Sequence, residues 1–316
     1  MIRTLATRIA HALITLFAVS LLCFALLQAA PGDYFTTLTL EPGLSTRTLD
    51  SLRREADPHA TLVQRYLSWC GSMLRGDMGH SLAYHMPVRD LLAPRILNTL
   101  LLSAAGLAGA WIVGLLLAAI HGRFATLVHA FAALLWSIPD PVLAFLFLLA
   151  ALRFHAMAPL PLDTSNPFVS LATAGTFLHA ISLPALAMSL GYLPLILRHA
   201  QSGVAAARSA PAVEAAEVHG LPRRTVWLRY LLPEAANPLI SLFGLGIGSL
   251  LSASLFVEVL FGWPGLGPLL LSAIFQRDTL VVVAGVFASA LLLIAGNLIA
   301  DLLLWLHDPR LREASS

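Results

Sequence analysis

The chain has 316 residues, 58% of them hydrophobic and only 11% charged, with a formal net charge of +2 and a mean hydropathy of +0.81. A soluble domain carries about 25% charged residues, so this chain has too little polar material to cover a water-facing surface. All 19 basic residues are arginine, which excludes a P-loop, Schiff-base chemistry and a lysine nucleophile. It reads as an integral membrane protein with no sign of nucleic-acid binding. Any ATP it uses is hydrolysed by another chain.

Six stretches meet the requirement of roughly 20 mainly apolar residues for a membrane-spanning helix: about 9–29, 97–120, 127–151, 178–198, 238–260 and 280–306. The first follows Arg3 and Arg8 like a signal peptide. However, Ile9 to Leu27 outruns a usual h-region of about 7–15 residues, and Gln28-Ala29-Ala30 is a poor cleavage site, so it is read as a retained span. With the N-terminus inside, the cytoplasmic pieces hold Arg3, Arg8, Arg123, Arg198, Arg208, Arg223, Arg224, Arg229, Arg310 and Arg312. The two short outer loops hold only Arg153 and Arg277. The arginine bias therefore puts both termini in the cytoplasm.

Segment 31–95 is predicted as a small extracytoplasmic helical cap. Asp57-Pro58 supplies an N-cap and first helical residue, and Gly76 a stop. Between them Leu62, Tyr66, Cys70 and Met73 repeat at helical spacing, widened by Leu67 and Leu74. A shorter helix carries Leu49 and Leu52. The two cysteines, Cys23 and Cys70, are read as too separated to pair.

Segment 199–237, between the fourth and fifth spans, is too polar to cross a bilayer and too alanine-rich for a flexible linker. A helical run from Ala212 to His219, preceded by Pro211, stops at Gly220. Leu221-Pro222 restarts the chain, and a second helical stretch runs from Arg223 to Leu232. The expectation is a helix–turn–helix at the cytoplasmic surface. Small residues at Ala215 and Ala216 admit close approach of a partner, and Glu214 offers it an anionic contact. Gly220 permits the reversal with positive φ.

Glu214-Ala215-Ala216, three residues, Gly220, nine residues, Tyr230, one residue, then Leu232-Pro233 resembles the EAA loop of ABC importer permeases. Tyr230 alone departs from that pattern, replacing the usual isoleucine. The remaining motifs resemble the B-type permeases of the dipeptide/oligopeptide/nickel class. They are Ala30-Pro31-Gly32-Asp33, the run from Leu74 to Leu82, Ser137-Ile138-Pro139, Leu183-Pro184-Ala185-Leu186, the run from Phe261 to Gly267, and Asp308-Pro309-Arg310.

The resemblance implies an all-α, six-span type I ABC importer domain. Its parts are an N-terminal span 1–30, the cap 31–95, a five-span core 96–309 and a tail 310–316. It also implies a second homologous permease, two ATP-binding subunits and an extracytoplasmic solute-binding protein, in a bacterial or archaeal cell membrane. In that family the loop is the coupling helix, which docks in a groove of the ATPase; Glu214, Ala215, Ala216, Gly220, Leu232 and Pro233 carry the motif here.

Asp140, between two prolines, falls near the middle of the third span, where relatives often have serine. A carboxylate at that depth must face a cavity or a partner: it either lines a pathway and attracts a cationic substrate group, or is a neutral or hydrogen-bonded aspartate in a helix break made by the two prolines. Glu258, near the outer end of span five, is a further candidate pathway residue, as are Asn297 and Asp301, which stand i, i+4 on span six. Interhelical hydrogen bonding is the competing role for these three. The eleven histidines form no metal-ligand motif, and no cofactor or catalytic residue is expected in this chain. An ion-coupled secondary transporter leaves the loop spacing unexplained. An intramembrane enzyme lacks a nucleophile–base or metal pair. The solute is not legible.

Overall fold

The computed structural model describes residues 2–29, 62–118, 120, 123–154 and 171–307. The expected helix at Leu49 and Leu52, the Asp57-Pro58 cap, the Ala30–Asp33 motif and the chain from Asp308 onward lie outside these residues. In chain order the helices are α1 (Ile2–Ala29), α2 (Leu62–Leu74), α3 (Val88–Ala118), α4 (Arg123–Trp136), α5 (Asp140–Arg153), α6 (Leu171–Arg208), α7 (Pro211–Val218) and α8 (Arg223–Val226). A π-helical turn (Trp227–Leu231) follows, then α9 (Leu232–Phe261), α10 (Leu266–Phe275) and α11 (Thr279–His307). No strand occurs among the described residues beyond a single antiparallel bridge between His80 and Pro87. Among the described residues four helices are long and apolar enough to cross a membrane, and up to six spans result when each of two interrupted helix pairs counts as one.

The chain divides into two compact units, and α3 and α11 run through both. One comprises 2–98 with 264–291, the other 99–263 with the chain from 292. In the first unit, α2 packs on α1 through an aromatic cluster. Phe24 lies 5.3 Å from Tyr66 and 5.5 Å from Trp69 between ring centroids, and Trp69 meets Phe287 at 5.8 Å. The Tyr66 hydroxyl also shares a hydrogen bond with Ser20 Oγ at 2.9 Å. Trp69, with Tyr66, Cys70 and Met73, forms the inward stripe. Leu67 and Leu74, expected to widen it, are 62% and 90% exposed. They stand off the line set by Tyr66, Trp69 and Met73, and two ring systems already fill the contact. Cys23 and Cys70, separated in sequence, line this one cluster as free thiols.

Gly76 stops α2 with φ +81, as expected. The following hairpin is tied down by Asp278, which is 1% exposed. Its Oδ2 accepts from Ser81 Oγ at 2.6 Å and from Ala83 N at 3.1 Å, while its Oδ1 caps α11 by accepting from Val281 N at 3.3 Å. Asp278→Ala should cost about 2–3 kcal/mol, since it orphans a buried hydroxyl and removes an N-cap. Amide hydrogen exchange at Ala83 and Val281 should quicken accordingly. Unchanged exchange there would mean the anchor contributes nothing.

In the second unit α6 is the centre, packing along α9 and against α4 and α5. Lipid supplies no hydrophobic drive between helices, so small residues and polar bonds set the approach. Ser189 Oγ donates to Gly106 O at 2.9 Å across the α3–α6 contact, and Tyr192 Oη donates to Leu242 O at 3.0 Å across α6–α9.

One open alternative is decided and two expectations are corrected. The third span is broken: α4 ends at Trp136, α5 begins at Asp140, and the two are bent by 107°. Pro139 has no N–H to continue the ladder and disfavours helical geometry at Ile138. Asp140 is therefore the first residue of a helix and not the middle of one. The fourth span does not end at residue 198, because α6 carries on to Arg208 through the first ten residues of the expected loop. Arg223 to Leu232 is also not a separate surface helix, since α8 runs through the π-helical turn straight into α9. Leu232 N–H bonds to Trp227 O, one residue beyond the α register. Pro233 explains the widening: its ring would clash with the Arg229 carbonyl of a regular helix.

Candidate functional site

α7 begins with Pro211, whose missing N–H falls where no helical partner is needed. It ends in a Schellman cap. Gly220 N–H bonds to Glu217 O at 2.9 Å and Leu221 N–H to Ala216 O at 3.2 Å, with Gly220 at φ +70. Pro222 then caps α8 and receives Thr225 N–H at 2.8 Å. The reversal is thus built entirely from local backbone bonds, which is why spacing alone located it.

Packing divides the residues of the loop motif. Val213 and Ala216 of α7 are buried against Ala207 from the end of α6, Val226 and Leu231, and Ala235 of α9, with Tyr230 half-buried beside them. Ala216, expected to admit a partner, instead seats α7 on the bases of two long helices. Glu214, Ala215 and Glu217 face outward, as does Val218, which is 84% exposed. Leu221, Trp227 and Leu228 add further exposed apolar surface, and Arg223, Arg224 and Arg229 are exposed beside them. Sequence reasoning missed Val213, Val226 and Leu231 as the seat and Val218 as the outward apolar tip. Their only signal was that Val213 and Ala216 are i, i+3. Tyr230 substitutes for isoleucine by laying an aromatic body on the same cluster. Leu232 and Pro233 are exposed at the start of α9, where Pro233 widens the helix as described above.

The pathway candidates separate in the same way. Asp140 is exposed and lies against Gly191 of α6, its Oδ1 3.0 Å from where a Cβ would stand. Glu258 is completely buried near the end of α9, where its carbonyl accepts Trp263 N–H at 2.8 Å. Asn297 is exposed at its edge but sets its Oδ1 against Gly248, 2.8 Å from a would-be Cβ, so it bridges α11 and α9. Asp301 is half-buried. Only Asp140 combines a carboxylate with an open position at a helix break.

Residues 110–313 match the family of binding-protein-dependent transport system inner membrane components. This chain belongs to that family. The permease is 32% identical to a protein of Brucella suis named as a peptide permease, over 99% of both chains. It is 29% identical to the dipeptide transport system permease protein of Escherichia coli K12, over 99% of each chain. It is also 29% identical to an oligopeptide transport system permease protein of Bacillus subtilis, covering 94% of the permease and 95% of that relative. Its fold is similar to the crystal structure of an amino acid ABC transporter, with a TM-score of 0.53, 16% identity, and coverage of 70% and 94% of the respective chains. The permease is thus a multi-pass inner-membrane transport component of an ABC importer. It works with a binding protein and an ATPase, and is not itself an enzyme.

Proposed function

We propose that the permease forms half of the pathway of a peptide importer. It would pair with a second, homologous permease, two ATP-binding subunits and an extracytoplasmic binding protein. The observation that carries this reading is α7: a capped short helix with an anionic and apolar outer face and a buried inner one. The peptide assignment leans on the names of the relatives, matched along almost their whole length.

The mechanics follow from the seat. Exposed Glu214, Ala215 and Val218 meet the ATPase, and Glu214 accepts from an arginine or backbone donor there. Val213 and Ala216 clamp α7 to the end of α6 and the base of α9. A displacement of α7 on ATPase closure therefore moves both helices, α6 carrying Gly191 against Asp140 and α9 carrying Glu258. Asp140 lines the route. Glu258, which is buried, and Asn297, which is set against Gly248, are assigned to helix packing around it, together with Asp301 one turn on from Asn297. No residue of this chain is assigned a catalytic role.

The direct test is the complete importer in proteoliposomes with a radiolabelled tripeptide. Uptake should require ATP and the binding protein together. Uptake by the permease without either would favour ion-coupled transport instead. Orientation is tested separately by Ser45→Cys in a chain lacking Cys70. A membrane-impermeant thiol reagent should label that position from outside cells, and labelling confined to inverted vesicles would reverse the topology, which places both termini in the cytoplasm.

A further inference from the structure

Two opposite charges flank the break in the third span. Asp140 opens α5 with its carboxylate on Gly191. Seven residues farther along α6, Arg198 lays its guanidinium carbon 5.3 Å from the ring centroid of Trp136, the last residue of α4. Gly191, Leu195 and Arg198 fall at i, i+4 and i+7, on one stripe of α6. Both charged residues are exposed, and neither makes an ion pair among the described residues. Gly191 and Arg198 are separated by about 10 Å of helix rise. An unpaired carboxylate within a span is expensive and marks a substrate route or a partner.

We propose that Asp140 and Arg198 read the two ends of a short unblocked peptide during its passage, Asp140 taking the α-ammonium and Arg198 the α-carboxylate. This rests on the peptide-importer reading above. An extended chain advances at most about 3.3–3.6 Å per residue, so a tripeptide spans about 10 Å between its termini. The guanidinium fork matches a carboxylate bidentately. The cation–π contact with Trp136 anchors the guanidinium beside the break. Gly191 matters because any side chain there would press on the Asp140 carboxylate.

The test uses the complete importer with its unaltered binding protein and three probes: trialanine, N-acetyl-trialanine and trialanine amide. Asp140→Asn should lower uptake of trialanine and trialanine amide about tenfold while leaving the N-acetyl probe unchanged, since a charged hydrogen bond is lost only where the ammonium exists. Arg198→Gln should spare trialanine amide and impair the other two. If the binding protein delivers neither blocked probe, equilibrium binding of the three probes to the detergent-solubilised complex gives the same comparison. An equal loss across all three probes in a fully assembled complex overturns the proposal. So does failure of both variants to assemble, which would make the charges structural. Wild-type importer that carries no trialanine at all would instead overturn the peptide reading on which the proposal stands.

Discussion

Gly220→Val should abolish ATP-driven uptake in the assembled importer while leaving insertion of the permease intact. Gly220 sits at φ +70, and a Cβ there would meet no atom within 4 Å. The cost is therefore purely one of backbone conformation, about 1–2 kcal/mol for an ordinary residue in the left-handed region and more for a β-branched one. That is enough to reopen the Schellman cap, whose two bonds hold the end of α7 against the start of α8. The spans have no stake in this turn, so they should insert and fold. Asparagine visits the left-handed region more readily, so Gly220→Asn should keep most of the activity. Uptake, ATPase stimulation and permease abundance in the membrane are the measurements. Normal uptake by the valine variant would show that the turn does not transmit closure.

Gly246→Val should have the opposite signature, a loss of folded permease itself. A Cβ at Gly246 would stand 2.7 Å from Tyr192 Oη and 2.9 Å from its Cζ. The hydroxyl cannot simply swing away, because Tyr192 is buried in the α6–α9 core and donates to Leu242 O at 3.0 Å. Either α9 moves off α6 or Tyr192 loses its bond, and overpacking of this kind costs about 1–3 kcal/mol before the lost hydrogen bond is counted. Against the marginal stability usual for proteins, the amount of assembled permease should fall several-fold, with a lower unfolding temperature in detergent. Wild-type abundance and stability would mean that the α6–α9 approach is looser than these distances.

The two glycines differ in how far the sequence could reach. Gly220 was legible because its reason is local: a helix stop, a fixed spacing to Glu214 and Pro233, and a positive φ that bonds within six residues enforce. The apolar runs were legible for the same kind of reason, since length and hydropathy belong to the segment and not to its neighbours. The absence of lysine was likewise enough to exclude a P-loop ATPase.

Gly246 owes its role to Tyr192 on another helix, and nothing in its own neighbourhood announces that. The same holds for Ala216, buried where Ala215 is exposed, and for Trp69, which displaces Leu67 and Leu74 from the contact stripe. It also holds for Cys23 and Cys70, which share one cluster. Pro139 was visible, yet whether its break would kink a span or turn it by 107° depended on what α6 offered to the two halves. That helix offers Gly191 for Asp140 and Arg198 for Trp136. Local chemistry settled which segments are helices and where a glycine stops them, as at Gly76 and Gly220. Which face each one turns inward is a property of the whole pack, because inside a membrane helices are sorted by close fit and polar bonds between them and not by their own apolarity.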